Sequence, residues 1–165
     1  MMFPRFVLYS GLILSWISFL FIPNYEKKKF FPAALLGSVC LTFVYEMAYI
    51  NKWWKLNKLI AKWLRISDYS FILGPFFVGT IWIFHLTYKF GSWVFFLSNL
   101  ILDSFFAFAI MPLFERIGIV KLKRIKRIGI LGLMQSVAVV IFFFQKWIEN
   151  IYRERPDYQN DEQYE

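Results

Sequence analysis

The sequence predicts an all-α fold: a polytopic transmembrane helical bundle of five spans with one basic amphipathic interfacial helix. Of its 165 residues, 59% are hydrophobic and only 18% are charged, whereas soluble domains average about 25% charged residues. The apolar residues also stand in long blocks that are separated by short basic clusters. Blocks of about 20 apolar residues match the roughly 30 Å hydrocarbon core of a bilayer.

Each block is expected to be helical, because backbone polar groups in lipid must be satisfied within their own segment. The first block follows Arg5 and ends without a small-residue cleavage site, so we interpret it as a retained span and not as a signal peptide. The second places Pro32 at a helix start, where its missing N–H costs nothing. The predicted spans cover about 6–22, 31–50, 70–88, 92–114 and 128–147, in one bundle over residues 1–150.

The stretch NKWWKLNKLIAKWLRI has a different pattern. Its apolar residues recur at helical spacing with basic residues between them, which predicts an amphipathic helix over about 52–66 in the headgroup plane. A helix that docks a partner protein is the alternative. Tryptophan is a typical anchor at this depth. The expected headgroup contacts here are Lys52, Lys55, Lys58, Lys62, Arg65, Trp53, Trp54 and Trp63.

The formal net charge is +8, but the segment 151–165 is acidic and polar and is predicted to be a disordered tail. The basic residues flank apolar spans, so the expected partner is anionic lipid and not nucleic acid. The loop ERIGIVKLKRIKR is interpreted as a topology anchor on lipid, with an acidic protein as the alternative partner. Its expected headgroup contacts are Lys123, Arg124, Lys126 and Arg127.

The distribution of Lys and Arg predicts that the amino terminus is cytoplasmic. With five spans, the amino terminus shares a side with the loops after the second and fourth spans, which are the more basic ones. The first hairpin favours the opposite orientation, because Lys27, Lys28 and Lys29 outweigh Arg5. We follow the total number of Lys and Arg residues on each side, because a basic surface helix also prefers an anionic inner leaflet.

Three phrases, KKKFFPAALLGS, GPFFVGTIWIF and NLILDSFFAF, resemble a family of small, uncharacterised multi-pass membrane proteins from spore-forming Gram-positive bacteria (Firmicutes). The resemblance covers roughly residues 20–145. It implies a location in the bacterial plasma membrane, and it supplies no catalytic residues.

The most informative polar residue is Asp103, which lies near the middle of the fourth span. A carboxylate there costs about 2.5–3.5 kcal/mol, so we expect it to face protein or water, or to be protonated. Asn99, one turn earlier, shares its face and is a candidate hydrogen-bond donor. A polar line from Glu46 through Asp103 to His85 is expected to cross the membrane. The candidate intramembrane polar or ion site comprises Asp103, Asn99, Glu46, His85 and Gln135.

Two interpretations of these polar groups stay open: hydrogen bonds that hold helices together, and handling of protons or cations. The sequence has no Gly-rich phosphate loop, no G-x-S-x-G elbow and no H-E-x-x-H motif, so an enzyme is not expected. Cys40 is the only cysteine and His85 the only histidine, which excludes an internal disulfide and a four-ligand Cys/His zinc site. No metal and no cofactor is predicted.

The leading hypothesis is an integral plasma-membrane protein that acts as a structural or accessory subunit through helix–helix and lipid contacts. It predicts a homo-oligomer or a membrane-protein partner. The alternative is a small proton- or cation-coupled transporter or channel subunit that uses Asp103. A remote alternative is an intramembrane or lipid-modifying enzyme that uses Glu46, His85 and Asp103, which requires these side chains to converge.

Overall fold

A computed structural model describes residues 3–56 and 69–153, and it confirms the all-α class. Four of its helices are 22–27 residues long and apolar enough to cross a membrane. The first helix has 17 residues, about 26 Å of length at 1.5 Å per residue, and it is shorter than the others. The helices are α1 Phe3–Phe19, α2 Asn24–Ile50, α3 Tyr69–Phe90, α4 Ser92–Arg116 and α5 Arg127–Arg153.

Two predicted boundaries are wrong. Helix α2 begins at Asn24, so Pro32 lies inside the helix and not at its start. The carbonyl of Pro23 accepts the N–H of Lys27 at 3.0 Å, and the helix begins seven residues before the predicted span. Helix α5 continues through Arg153, into the predicted tail, because its last turns pack against other helices. The predicted disorder of residues 154–165 lies outside the described residues.

The helices α2 to α5 form a four-helix bundle in which α2 and α4 each pack against both α3 and α5. Aromatic side chains join all four helices at the end where α2 begins. The ring centroids of Phe84 in α3 and Phe30 in α2 are 5.1 Å apart. Phe95 in α4 lies 4.7 Å from Phe84 and 4.8 Å from Phe142 in α5. This cluster is the buried core of that half of the bundle.

Two π-helical turns interrupt α3 and α4. One covers Ile72–Phe76 and contains Pro75; the other covers Phe106–Ile110 and comes just before Pro112. Proline has no N–H, and its ring collides with the carbonyl four residues earlier. A wider turn relieves this collision, and such turns are frequent at functional sites.

The opposite end of the bundle carries a two-stranded antiparallel ribbon. Its strands are β1 Trp54–Leu56 and β2 Val120–Leu122. The predicted interfacial helix is therefore wrong in its first part, since residues 51–53 form a turn before β1. Lys52 has a φ of 55°, a left-handed conformation that stops α2 from continuing. Residues 57–66 of the predicted helix lie outside the described residues.

Helix α1 packs against α3 outside the four-helix bundle, and this contact depends on Gly74. A Cβ added at Gly74 would lie 2.9 Å from Leu12 Cδ1 and 3.1 Å from Leu12 Cα. The second distance involves the backbone of α1, so α1 would have to move. Gly79, on the same helix, has no atom within 4 Å of such a Cβ.

We predict that Gly74→Ala lowers the free energy of unfolding in detergent by about 1–3 kcal/mol, the usual cost of overpacking. The control, Gly79→Ala, should be neutral or stabilising by up to about 1 kcal/mol, because alanine is the better helix former. Thermal unfolding followed by circular dichroism measures both. Equal effects at the two glycines would contradict the close packing of α1 on α3.

Candidate functional site

Asp103 lies on the buried face of α4, with 9% of its surface exposed. The buried residues of α4 recur every four positions, which places them along one stripe of the helix. Gln135 of α5 donates a hydrogen bond from Nε2 to Asp103 Oδ2 at 2.7 Å. The expectation that Asp103 faces protein is confirmed. The residues of the buried stripe are Phe95, Asn99, Asp103, Ala107 and Met111.

Asp103 also lines a cavity of about 230 Å³ between α3, α4 and α5. Most of the lining is apolar, and the polar side chains that join Asp103 there are Thr80 and Asn99. Both π-helical turns contribute to its wall, through Pro75 and Phe106. The volume is sufficient for several water molecules. The arrangement is a partly open cavity with one carboxylate and a mostly apolar lining.

The other two polar side chains of this cavity donate hydrogen bonds to carbonyls of their own helices. Thr80 donates its hydroxyl to the carbonyl of Phe76 at 2.8 Å, and Asn99 donates from Nδ2 to the carbonyl of Phe95 at 2.9 Å. The expected hydrogen bond from Asn99 to Asp103 is therefore wrong, because Asn99 bonds within its own helix. Asp103 Oδ1 has no hydrogen-bond partner among the described residues. The cavity thus offers oxygen acceptors, the ligands that suit a hard cation or a proton.

The structure does not bring Glu46, His85 and Asp103 together. Glu46 is exposed on α2 and has no hydrogen-bond or ion-pair partner among the described residues. His85 pairs through Nδ1 with Glu26 Oε2, at the beginning of α2. The predicted polar line across the membrane is therefore interrupted at Glu46. The three side chains do not share one cavity as the enzyme hypothesis requires.

A second polar cluster, which we call the end cluster, joins α2, α3 and α5 near the aromatic core. Glu149 forms an ion pair with Lys29 Nζ at 3.1 Å and accepts a hydrogen bond from the Tyr88 hydroxyl at 2.5 Å. Gln145, which is fully buried, donates from Nε2 to the carbonyl of Lys29 and to Glu149 Oε1, both at 3.3 Å. The Lys146 ammonium lies 4.4 Å from the centre of the Tyr88 ring, a favourable cation–π contact.

The end cluster and the Glu26–His85 pair were missed by the sequence analysis. A signal for both was present, since the order of the spans puts the start of the second and the ends of the third and fifth on one side of the membrane. Acidic and basic residues at those ends could have been paired on this basis.

The predicted headgroup contacts that the structure describes lie in the ribbon or next to it. Lys52 and Lys55 are exposed, and Trp53 and Trp54 are half-buried. The Trp54 ring packs on Tyr45 of α2, with centroids 5.6 Å apart. Residues Lys58, Lys62, Trp63 and Arg65 lie outside the described residues. The predicted contacts that are exposed beyond β2 are Lys123, Arg124, Lys126 and Arg127.

No known protein family, curated protein or solved structure matches this chain. Residues 3–56 and 69–153 contain no group of three Cys, His, Asp or Glu side chains that could hold a metal ion.

The Asp103–Gln135 hydrogen bond generates a prediction. We expect Gln135→Leu to lower the free energy of unfolding by about 1–2 kcal/mol, because it leaves a buried carboxylate without its donor. The double variant Asp103→Leu with Gln135→Leu should show a smaller loss of stability than Gln135→Leu alone, because it removes both polar groups and leaves no buried carboxylate without a donor.

Chemical unfolding in mixed micelles would measure this pair. Ser136→Ala is the matched control, because Ser136 is exposed and donates to the carbonyl of Gly132 in its own helix. Additive effects of the two leucine substitutions would contradict a direct contact between Asp103 and Gln135.

The end cluster generates a second prediction. Glu149→Ala should lower the free energy of unfolding by about 1–2 kcal/mol, because it removes the acceptor shared by Lys29 and Tyr88 from a partly exposed site. Glu46→Ala is the control, a single glutamate on an exposed helix face, and should change stability by less than about 0.5 kcal/mol. Thermal unfolding in detergent distinguishes them, and a larger loss at Glu46 would count against the observed pairing.

Proposed function

We propose that this protein is a small integral membrane transporter or channel subunit that handles protons or small monovalent cations at Asp103. The observation that carries the proposal is a carboxylate in a cavity whose other polar groups present acceptor oxygens. In this proposal α1 is a fifth span, and the ribbon faces the cytoplasm of a bacterial cell. The exposed basic residues at that end support this orientation through the positive-inside rule.

The energetics of Asp103 favour a role beyond packing. An ionised carboxylate near the middle of a bilayer costs about 2.5–3.5 kcal/mol. One intramembrane hydrogen bond returns about 0.6 kcal/mol on average and at most about 2 kcal/mol. The bond from Gln135 therefore leaves part of this cost without compensation. A bound proton or cation supplies the remainder by neutralising the charge.

The two π-helical turns support the same proposal. Interrupted helices that meet at a buried polar site are typical of transport proteins, because unpaired backbone carbonyls can coordinate ions there. Pro75 lacks the N–H that would bond the carbonyl of Phe71 in a regular α-helix, the π-helical turn shifts the hydrogen bonding there, and both residues line the cavity. The rings of Phe71 and Phe106 contact each other, with centroids 5.0 Å apart. The irregular parts of α3 and α4 thus lie beside each other, next to Asp103.

An accessory subunit is the second candidate, and helix α1 favours it. Among the described helices α1 packs against α3, and it leaves most of its apolar side chains exposed. Such a surface suits a neighbouring membrane helix as well as lipid. Co-purification of a fixed partner or a homo-oligomer from mild detergent would support this role, and a clean monomer would weaken it.

The transport proposal predicts that Asp103→Asn reduces cation- or proton-driven flux in proteoliposomes by at least about tenfold, because one ionisable group carries the coupling. Asparagine is nearly isosteric, and its amide oxygen can still accept from Gln135. Folding should therefore be preserved. Flux of H⁺, Na⁺ and K⁺ is measured with fluorescent indicators inside the vesicles, under an imposed ion gradient.

Glu46→Gln is the matched control, because it removes an exposed carboxylate from α2, a helix of the same bundle. Its flux should equal that of the unaltered protein. Wild-type flux in folded Asp103→Asn protein would show that Asp103 is not the coupling site. A lack of flux of all three cations in the unaltered protein would refute the transport proposal itself.

A further inference from the structure

The two-stranded ribbon has one apolar face and one basic face. Trp54 and Leu56 of β1, and Val120 and Leu122 of β2, pack towards a buried cluster around Met111 and Ile130. The middle residue of each strand points the other way, as the period of a strand requires. These middle residues are Lys55 and Lys121, and both are exposed.

Lys55 and Lys121 are direct cross-strand partners in the register of the ribbon. Residues directly opposite in an antiparallel pair have Cβ atoms about 4.5–5.5 Å apart, and like charges at this spacing destabilise the pairing. The acidic group nearest in sequence, Glu115, is already engaged by the Leu122 N–H and by Arg127. Further exposed basic residues follow β2, so the repulsion is not neutralised by the described residues.

The lysines cannot separate easily, because the ribbon is fixed at one end. The carbonyl of Trp53 accepts the N–H groups of Lys123 at 2.9 Å and of Arg124 at 3.1 Å. The apolar face of the ribbon also covers the cluster around Met111 and Ile130. Moving the strands apart would expose that cluster. The backbone therefore holds the two lysines opposite each other, and their flexible side chains can bring both ammonium groups to one anion.

The position of the ribbon places this charge pair at the membrane surface. Strand β1 begins four residues after α2 ends, and β2 ends five residues before α5 begins. Both helices are long and apolar enough to cross a membrane. The half-buried Trp53 and Trp54 are residues that prefer the headgroup layer. The nearest abundant anions are therefore lipid phosphates.

We propose that Lys55 and Lys121 together bind the phosphate of an anionic phospholipid. A phosphate between the two ammonium groups converts their repulsion into two attractive, charge-assisted hydrogen bonds. The proposal is independent of the function of Asp103. It favours lipid over an acidic protein, because the ribbon is tethered on both sides to membrane-crossing helices and its cross-strand pair presents two neighbouring charges to one small anion.

The test compares lipid binding by the purified full-length protein in uncharged detergent at low ionic strength. Short-chain phosphatidylglycerol is titrated, with phosphatidylcholine as the uncharged reference, and thermal stability reports binding. For Lys55→Gln with Lys121→Gln, we expect the apparent affinity for phosphatidylglycerol to fall about 25-fold, about fivefold for each lysine.

The control variant is Lys28→Gln with Lys89→Gln, which removes two exposed charges at the other end of the bundle. It should retain the affinity of the unaltered protein. In phosphatidylcholine alone, the ribbon variant should be as stable as the unaltered protein or more stable, because the repulsion is gone. A loss of affinity for phosphatidylglycerol without a loss of stability in phosphatidylcholine distinguishes a binding role of the two lysines from a structural role.

Equal phosphatidylglycerol affinity of the ribbon variant and the unaltered protein would overturn the proposal. Loss of stability in phosphatidylcholine would overturn it as well, since the lysines would then stabilise the fold without an anion. Stabilisation of the unaltered protein by polyglutamate and not by phosphatidylglycerol would overturn it in favour of an acidic protein partner.

Discussion

The carboxylate of Asp103 must be kept away from the acyl chains, and this constraint organises the bundle. Helix α4 has one narrow buried stripe, and Asp103 lies in the middle of it. Residues four apart on a regular helix diverge by about 40° at each step, because a turn contains 3.6 residues. The π-helical turn Phe106–Ile110 includes more residues in one turn, which rotates the following part of the stripe back. Ala107 and Met111 therefore remain buried.

The same constraint explains the chemistry beside Asp103. Its face meets α3 at the π-helical turn that contains Pro75, and it meets α5 at Gln135. One neighbour thus supplies an irregular wall and the other supplies a hydrogen-bond donor. The result is a cavity and not a fully packed contact. A satisfied Oδ2 holds the carboxylate in place, while Oδ1 is left for a ligand.

The two ends of the bundle are stabilised by different interactions. At the end where α2 begins, phenylalanine rings pack against each other, and the end cluster brings acidic and basic side chains into contact. At the other end, the ribbon closes an apolar cluster and turns two exposed lysines outward, Lys55 and Lys121. Exposed basic residues such as Lys28 and Lys89 also lie at the first end, but the ribbon end carries more of them. This asymmetry agrees with the distribution of Lys and Arg in the sequence.

The sequence by itself determined the all-α class and the inward position of Asp103, and it predicted five spans, of which four are helices of membrane length. These follow from local composition, because a long apolar block has few alternatives to a helix in lipid and a charge within it must be shielded. The tertiary structure decided that Gln135, and not Asn99, is the donor to Asp103, since Asn99 can bond the carbonyl one turn behind it. It also decided the pairing of Lys55 with Lys121, because a three-residue strand has too little pattern of its own to indicate a partner so distant in the chain.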